Sequence, residues 1–534
     1  MSLTLQQKIR SNWKSGLTVG LVSIPIAISL AVASNASPVA GIVTAFWAGL
    51  IASIFGGSNY NIIGPTGALS GLLFTYGNLY GSDSLPMLAI MAGFLIFGAY
   101  FFNVQKYLIF IPGSALHGFI LGIAIMIVLM QINPAFGLPP VAGHHGLLGN
   151  AFDSLCNIGL ISLPTFILFC TIFTGLMLFA RLTPRLPGTI VLTPCGILFG
   201  YLCVRGILPW HVQTLGEKYA GIAPTLALLP TFHFRFAYLI PAFSVALIAI
   251  LETMISAKIA DGVTLTKHNK RKEMVGLGLA NIVSGMAGGI PATAALARTA
   301  LNIRSGSTDK MSATISSICI AVIALLLITY FHYLPLAVVA AILVFVAFRM
   351  VEAEHFWRMI KVDRYGFGLS MIVAFVTIYQ DPMVGILSGA VVGMLLFMEK
   401  ISTGSYETMH QKKVRVHEPL PETEPDILVY SVKGPLAYIN AQAHIARLEN
   451  IQPIYTDVIL DLGDVYFIDL DGVEAFGEII LMLIAKQKRV AVTGLHSATK
   501  HLLQESSEFN RLDQNGHVFD TVGTALEHVR AQRE

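Results

Sequence analysis

Up to Met398 the sequence alternates between apolar runs of membrane-span length and breaks made of Gly, Pro and short basic clusters. From Glu399 onward acids and bases become frequent, and the apolar runs shorten to strand length. A span needs roughly 20 predominantly apolar residues. On that measure spans are predicted near 15–34, 38–56, 86–107, 111–131, 158–180, 188–205, 236–259, 273–288, 311–330, 333–350, 364–379 and 382–398. Two further pieces, 65–78 and 292–304, are apolar but short and rich in Gly, Ala and Thr, as broken helices are. Together these make about fourteen segments. The polar, Pro-containing stretch KISTGSYETMHQKKVRVHEPLPETEPD reads as a linker. The chain is therefore divided into a transmembrane domain over 1–400, a linker over 401–425 and a cytoplasmic α/β domain over 426–534.

The basic residues orient these segments, because cytoplasmic loops carry an excess of Lys and Arg. Lys8, Arg10 and Lys14 place the N-terminus in the cytoplasm. The loop NPAFGLPPVAGHHGLLGNAFDS lies in a stretch without Lys or Arg and is read as external. Arg181, Arg185, Lys258, Lys267, Lys270, Arg271, Lys272, Arg349, Arg358, Lys361 and Arg364 fall inside, and Lys400, Lys412 and Lys413 lead to a cytoplasmic C-terminus. Lys218, in an outer loop, is the main exception.

Composition agrees with a polytopic membrane protein. The chain is 54% hydrophobic and 12% charged, with a mean hydropathy of +0.69, where soluble chains carry about 25% charged residues. A net charge of +3 is too small to suggest a nucleic-acid partner. Cys156, Cys170, Cys195, Cys203 and Cys319 show no disulfide or zinc spacing and are read as core residues. His144 and His145, a lone pair in the outer loop, are assigned no metal. No nucleophile–base pair, metal cluster or phosphate loop stands out, so no enzyme activity and no cofactor are expected.

The two halves echo each other. IASIFGG (51–57) leads into SNYNIIGPTGALSG, and IVSGMAGG (282–289) leads into IPATAALARTALN. Each is a span ending in Gly-Gly, followed by a proline and a short segment of small residues. Seven segments per half would start the second copy on the opposite side of the bilayer, as in inverted-repeat secondary transporters. Irregular backbone at membrane depth survives only where protein buries it or where it lines a cavity. Two half-helices with facing N-termini would aim unpaired N–H groups at one spot, which attracts an anion. The first half would supply Gly64, Pro65, Thr66, Gly67 and Ala68, and the second Thr293, Ala294, Ala295, Leu296 and Ala297. Arg298 adds a charge that stays protonated.

Glu252 is the only carboxylate placed inside a span. A buried carboxylate must pair, bind a cation or hold a proton. Pairing with Arg298 is one reading; the other is a site for Na⁺ or H⁺ as coupling ion. Ser256, one helical turn later, offers a second oxygen. Ser23 and Pro25 fall mid-membrane in the first span, where Pro25 frees a backbone carbonyl.

On these motifs the sequence resembles the SulP family of anion transporters, the sulfate permease and solute-carrier group. GLTVGLVSIPIAISLAVASNASPVAGIVTAFWAGLIASIFGGS is similar to the family's opening pattern, GPTGALS to its third-segment Gly-Pro motif, and ARTALNIRSG to its Arg-Ser/Thr-x-x-Asn motif. DVILDLGDVYFIDLDGVEAF (457–476) resembles the core of a STAS domain. The resemblance implies core and gate domains built from seven-plus-seven inverted repeats, an elevator motion and a homodimer. It also implies an anion site between the third and tenth segments, with the first and eighth alongside. Two departures stand out: NWKSG lacks the acidic residue often found before the first span's Gly, and TAALA replaces a serine-rich tenth segment. Related STAS domains carry a phosphorylatable Ser just before the motif's Gly. Asp471 stands there before Gly472, as a helix cap or as a regulatory contact for a cytoplasmic partner.

The expected activity is secondary transport of a small inorganic or carboxylate anion, bicarbonate or sulfate among them, across a lipid bilayer. An anion channel or exchanger without cation coupling and a nucleobase–proton symporter are the alternatives. The STAS-like domain and Arg298 argue against the symporter, and Glu252 argues against a pure uniporter.

Overall fold

The computed structural model describes residues 4–103, 111–139, 147–183, 187–219, 225–228, 232–402, 405–409, 426–437 and 439–533. His144, His145, Arg185, Lys412, Lys413 and the 410–425 part of the expected linker lie outside the described residues. The chain divides into two compact units, Met1–Gly393 and Met394–Glu534.

The first unit is helical, and its second half repeats the order of its first. The first half runs α1 (Leu5–Ala33), α2 (Pro38–Phe55), strand β1 (Ile63–Gly64), α3 (Gly67–Tyr80), α4 (Leu85–Phe101) and α5 (Gly113–Met130). The short α6 (Ile132–Phe136) and α7 (Leu147–Cys156) follow, then α8 (Leu163–Leu182) and α9 (Gly188–Val204). After a single turn, α10 (Leu215–Lys218), come α11 (Leu239–Thr264), α12 (Lys270–Met286), strand β2 (Thr293–Ala294), α13 (Leu296–Arg304) and α14 (Met311–Leu327). The half closes with α15 (Leu336–Met350), α16 (Ala353–Val362), α17 (Arg364–Tyr379) and α18 (Pro382–Ser402).

Packing follows the same symmetry. Helix α1 packs on α14 as α11 packs on α4, and α2 packs on α14 as α12 packs on α4. Helix α5 packs on α17 as α15 packs on α8. Exchanging the halves therefore maps each of these contacts onto another, which is what an inverted repeat of seven segments produces. One bundle is formed by α1–α4 with α11–α14, the other by α5–α9 with α15–α18. Among the described residues nine helical stretches are long and apolar enough to cross a bilayer, and α9 and α17 are apolar but shorter.

Three details differ from the sequence reading. Cys156 and Cys195 are exposed rather than in the core, because the outer face of a membrane bundle is itself apolar. Helix α16 was not among the expected segments; it is amphipathic and too short to span. Residues Ser405–Met409, within the expected linker, form strand β3.

The second unit is a five-stranded sheet in the order β3–β4–β5–β6–β7, with β4 (Ile427–Leu436), β5 (Asp457–Ile468), β6 (Arg489–Thr493) and β7 (Val518–Phe519). Strand β3 pairs antiparallel with β4; the other pairs are parallel. Alternation along the strands sends Leu428, Tyr430, Val458 and Leu460 to one face. There they meet α19 (Ala441–Glu449), α20 (Leu470–Ala485), α21 (Ser497–Leu503) and α22 (Ser507–Gln514). Val429 and Ile459 turn to the opposite face, against α23 (Val522–Ala531). A parallel sheet buried on both faces needs this double cover.

Candidate functional site

The site begins with two breaks in helical structure. The chain unwinds between α2 and α3 and again between α12 and α13, and the extended segments cross as an antiparallel pair, with Ile63 opposite Ala294 and Gly64 opposite Thr293. Buried backbone without helical bonds needs other partners. Thr44 accepts from the Ile290 N–H at 2.7 Å, and Asn281 accepts from Ala292 N–H at 2.9 Å. Thr253 accepts from the Ala294 N–H at 3.2 Å, while Thr299 accepts from Ile62 N–H at 3.2 Å. Asn302 donates to the Tyr60 carbonyl at 2.9 Å. Glu273 accepts from the N–H groups of Gly57 and Ser58 at 2.6 and 2.7 Å. The crossing is thus held by side chains of its own bundle.

Beyond the crossing, α3 starts after Thr66 and α13 after Ala295, and neither start carries a side-chain cap. Each N-terminus presents free N–H groups and roughly half a positive charge. Thr66, Gly67 and Ala68 are buried, Ala295 and Leu296 are half-buried, and Ala297 is exposed. The N-terminus of α3 faces the other bundle: a Cβ on Gly67 would lie 3.0 Å from Met350 Sδ and 3.2 Å from Ile127 Cδ1. The site therefore lies where the two bundles meet.

Arg298 is 3% exposed. Its Nη2 donates to the Pro65 carbonyl of the opposite repeat, and Nη1 lies so near Gly64 that a Cβ there would sit 2.9 Å away. Gly64 is thus a matter of space, since no other residue lets the guanidinium approach the strand so closely. Nε is buried with no partner, and among the described residues no carboxylate oxygen comes within 4.0 Å of the guanidinium. Glu252 does not pair with it. That carboxylate instead accepts from the Thr66 hydroxyl at 3.0 Å. Two ionisable groups of opposite type thus reach adjacent residues, Pro65 and Thr66, without forming a direct ion pair.

The structure brings Gly64, Pro65, Thr66, Thr293, Glu252 and Arg298 together. Thr293 bonds Thr253 at 3.0 Å and the Ala249 carbonyl at 3.1 Å, so its hydroxyl serves the crossing. Ser256 donates to Asn61 and Thr299 at 3.0 and 3.1 Å, within the network that holds the first unwound segment. Ser23 is fully buried and its hydroxyl has no partner. Pro25 lines a cavity of about 480 Å³ with Thr193, Pro194, Tyr330 and Phe331, away from the polar crossing. Asp471 is exposed in the first turn of α20 in the second unit, where the capping bond is made by Asp469 to Gly472 N–H at 2.8 Å. The sequence reading missed Asn61, Glu273, Thr253, Thr299 and Asn302. Their one signal is a polar residue within or beside an apolar segment, too common to single out a partner.

Comparison with known proteins adds a family frame. The model of the sulfate permease family matches residues 9–373, and that of the STAS domain matches 418–525. The chain is similar to the putative sulfate transporter YvdB of Bacillus subtilis, 29% identical and covering 96% of each chain. It is also similar to the bicarbonate transporter BicA of Picosynechococcus, 26% identical over 95% of this chain and 92% of the relative. Its fold matches the murine Solute Carrier 26 family member A9 anion transporter with a TM-score of 0.83, at 16% identity over 99% of this chain and 92% of the other.

Proposed function

Because the chain belongs to the sulfate permease family, integral membrane transporters and not enzymes, we propose that it carries a small oxyanion or carboxylate by secondary active transport. Sulfate and bicarbonate are the first candidates, as relatives named for each align along almost the whole chain. The observation that carries this reading is Arg298: a buried guanidinium at an uncapped half-helix, with an unpartnered Nε and no paired carboxylate. Intramembrane charges are rare and mark substrate paths. An anion between the starts of α3 and α13 would accept from their free N–H groups and from Arg298.

Glu252 sets the coupling. Its negative charge, held by Thr66, opposes an anion at the same segment. Na⁺ or H⁺ on Glu252 removes that opposition, so anion and cation load together. All these groups belong to the bundle of α1–α4 and α11–α14, which carries them as a body past α5 and α15 in an elevator motion. The protein works as a homodimer with both termini in the cytoplasm, and Asp471 offers a contact to a regulator. The test is uptake into proteoliposomes of sulfate, bicarbonate, chloride and fumarate, each with and without inward Na⁺ and proton gradients. Oxyanion accumulation driven by one gradient is the expected outcome. A conductance indifferent to both gradients would remove the coupling role and leave a channel.

A further inference from the structure

We propose that His117, Glu352 and His355 bind a divalent transition-metal ion that clamps the start of α5 to the turn between α15 and α16. One ligand atom from each residue lies within 4.8 Å of the others. The two imidazole rings are stacked, with centroids 3.7 Å apart and planes 23° from parallel. Stacked rings direct their lone pairs along nearly parallel planes, so turning one ring out of the stack about its side-chain torsions is what aims a nitrogen of each at a shared ion. Glu352 and His355, three positions apart at the head of a helix, share one face.

Besides the ring stack, His117 meets the edge of Phe356, and no side chain of the three is held by a hydrogen bond among the described residues. Glu352 occupies the N-cap position of α16, yet its carboxylate makes no capping bond, and among the described residues no hydrogen bond is made by either imidazole. The carboxylate is exposed and the rings are half-buried, so an ion can enter at the expense of the ring stack without breaking a hydrogen bond. Two nitrogens and one oxygen suit Zn²⁺, Co²⁺ or Ni²⁺, whereas Mg²⁺ and Ca²⁺ prefer oxygen throughout. Bonds of about 2.0–2.1 Å bring tetrahedral ligand atoms to roughly 3.3 Å of one another. Small side-chain rotations close the present separation to that value. A fourth position remains for water.

The clamp joins two elements from different repeats, since α5 belongs to the first and α15 to the second. Met350, two residues before Glu352, packs toward Gly67 at the start of α3. An ion at Glu352 would fix the turn that covers the candidate anion site.

The test uses the full chain, purified in detergent without a polyhistidine tag. Co²⁺ is titrated while its visible absorption is followed, and thermal unfolding is recorded with Zn²⁺, with Mg²⁺ and after EDTA. Expected are a d–d band of tetrahedral strength and a Zn²⁺-dependent rise in Tm that EDTA reverses and Mg²⁺ does not produce. Both signals should be absent in His117→Ala/His355→Ala and weakened in Glu352→Gln, whose exposed position leaves folding intact. A parent protein that shows neither signal overturns the proposal, as does a double variant that keeps both. If the double variant fails to fold, retention of full Co²⁺ and Zn²⁺ responses in Glu352→Gln and His355→Ala singly overturns it as well.

Discussion

Arg298 in the membrane unit and Asp457 in the α/β unit are both almost wholly excluded from solvent, at 3% and 1% exposure. Their surroundings differ. Arg489 approaches Asp457 with Nε 2.6 Å from Oδ1 and donates through Nη2 to Oδ2 at 2.7 Å, while Arg533 and Thr456 bond the same carboxylate. Burial pushes that carboxyl upward, but the two guanidinium groups outweigh it and hold it below the usual Asp range. Arg298 has a single bond, to a neutral carbonyl, and a nitrogen left over. A buried charge with its counter-charge in place belongs to the scaffold. One with a spare donor and no carboxylate within 4.0 Å is the candidate to take an anion from outside.

The largest effect expected from this contrast is at Arg298. Hydrogen bonds to charged groups contribute about 1.5–3 kcal/mol each. Arg298→Ala should therefore weaken anion binding about 100-fold or more. Titration of the purified variant with sulfate and with bicarbonate measures this. The protein should still insert and stay monodisperse, since only the Pro65 bond is lost. Unchanged anion affinity would place Arg298 with Asp457 among the structural charges.

Glu252 sharpens the comparison from the other sign. It too is bonded to a neutral group, the Thr66 hydroxyl. Glu252→Gln keeps an acceptor for Thr66 while removing the charge. Accumulation driven by a Na⁺ or proton gradient should disappear, and exchange of labelled for unlabelled anion should continue. Uptake that still follows the gradient as in the parent would end the coupling role.

Asp457→Ala is the converse experiment. Removing a buried carboxylate from two partly exposed arginines should cost the second unit about 2–3 kcal/mol, with no change in anion affinity. Its pH dependence has a definite sign. A carboxyl depressed in the folded state contributes fully above its unfolded pKa of about 3.9 and loses that contribution as pH falls through the lower folded value. The variant's Tm should lack this acid limb. At His444 burial, with the nearby Arg447 charge adding to it, lowers the pKa to about 4. A neutral imidazole bonded to the Tyr430 hydroxyl at 2.8 Å is complete above pH 6.5, and its contribution fades as pH falls toward that value of about 4.

The broken helices were legible because Gly-Pro sequences inside apolar runs have few other meanings, and the repeat was legible from their spacing. Arg298 and Glu252 stood out for the same reason, as charges where charge is expensive. Which hydroxyls serve ligand and which serve scaffold was not legible. Ser256 and Thr293 look like donors in the sequence, yet in three dimensions they bond Asn61, Thr253 and the Ala249 carbonyl. A side chain's residue type says nothing of which unwound segment will lie against it. Pro25 illustrates the converse: its helix position was right, but the face it presents lines an apolar cavity. The strand β3 within a polar stretch was hidden because one edge strand of five residues carries little hydrophobic pattern.

The smallest expected effect tests whether the second unit contributes to binding at all. Asp471 is exposed and leaves the capping of α20 to Asp469, so its charge is free to meet a partner. Asp471→Ser removes a carboxylate from a helix N-terminus, worth about 0.3–1 kcal/mol to that helix. The anion concentration for half-maximal uptake should not move, because the groups proposed to bind the anion all lie in the first unit. The maximal rate, or its response to a cytoplasmic regulator, should change modestly. Deletion from about Val416 onward pushes the same question further, and it too should preserve anion affinity while slowing transport or weakening dimer assembly. A truncated protein that is folded and inserted yet binds no sulfate or bicarbonate, when the full chain does, would break the division. The charge without a counter-charge in the membrane unit would then depend on the ion-paired scaffold of the other.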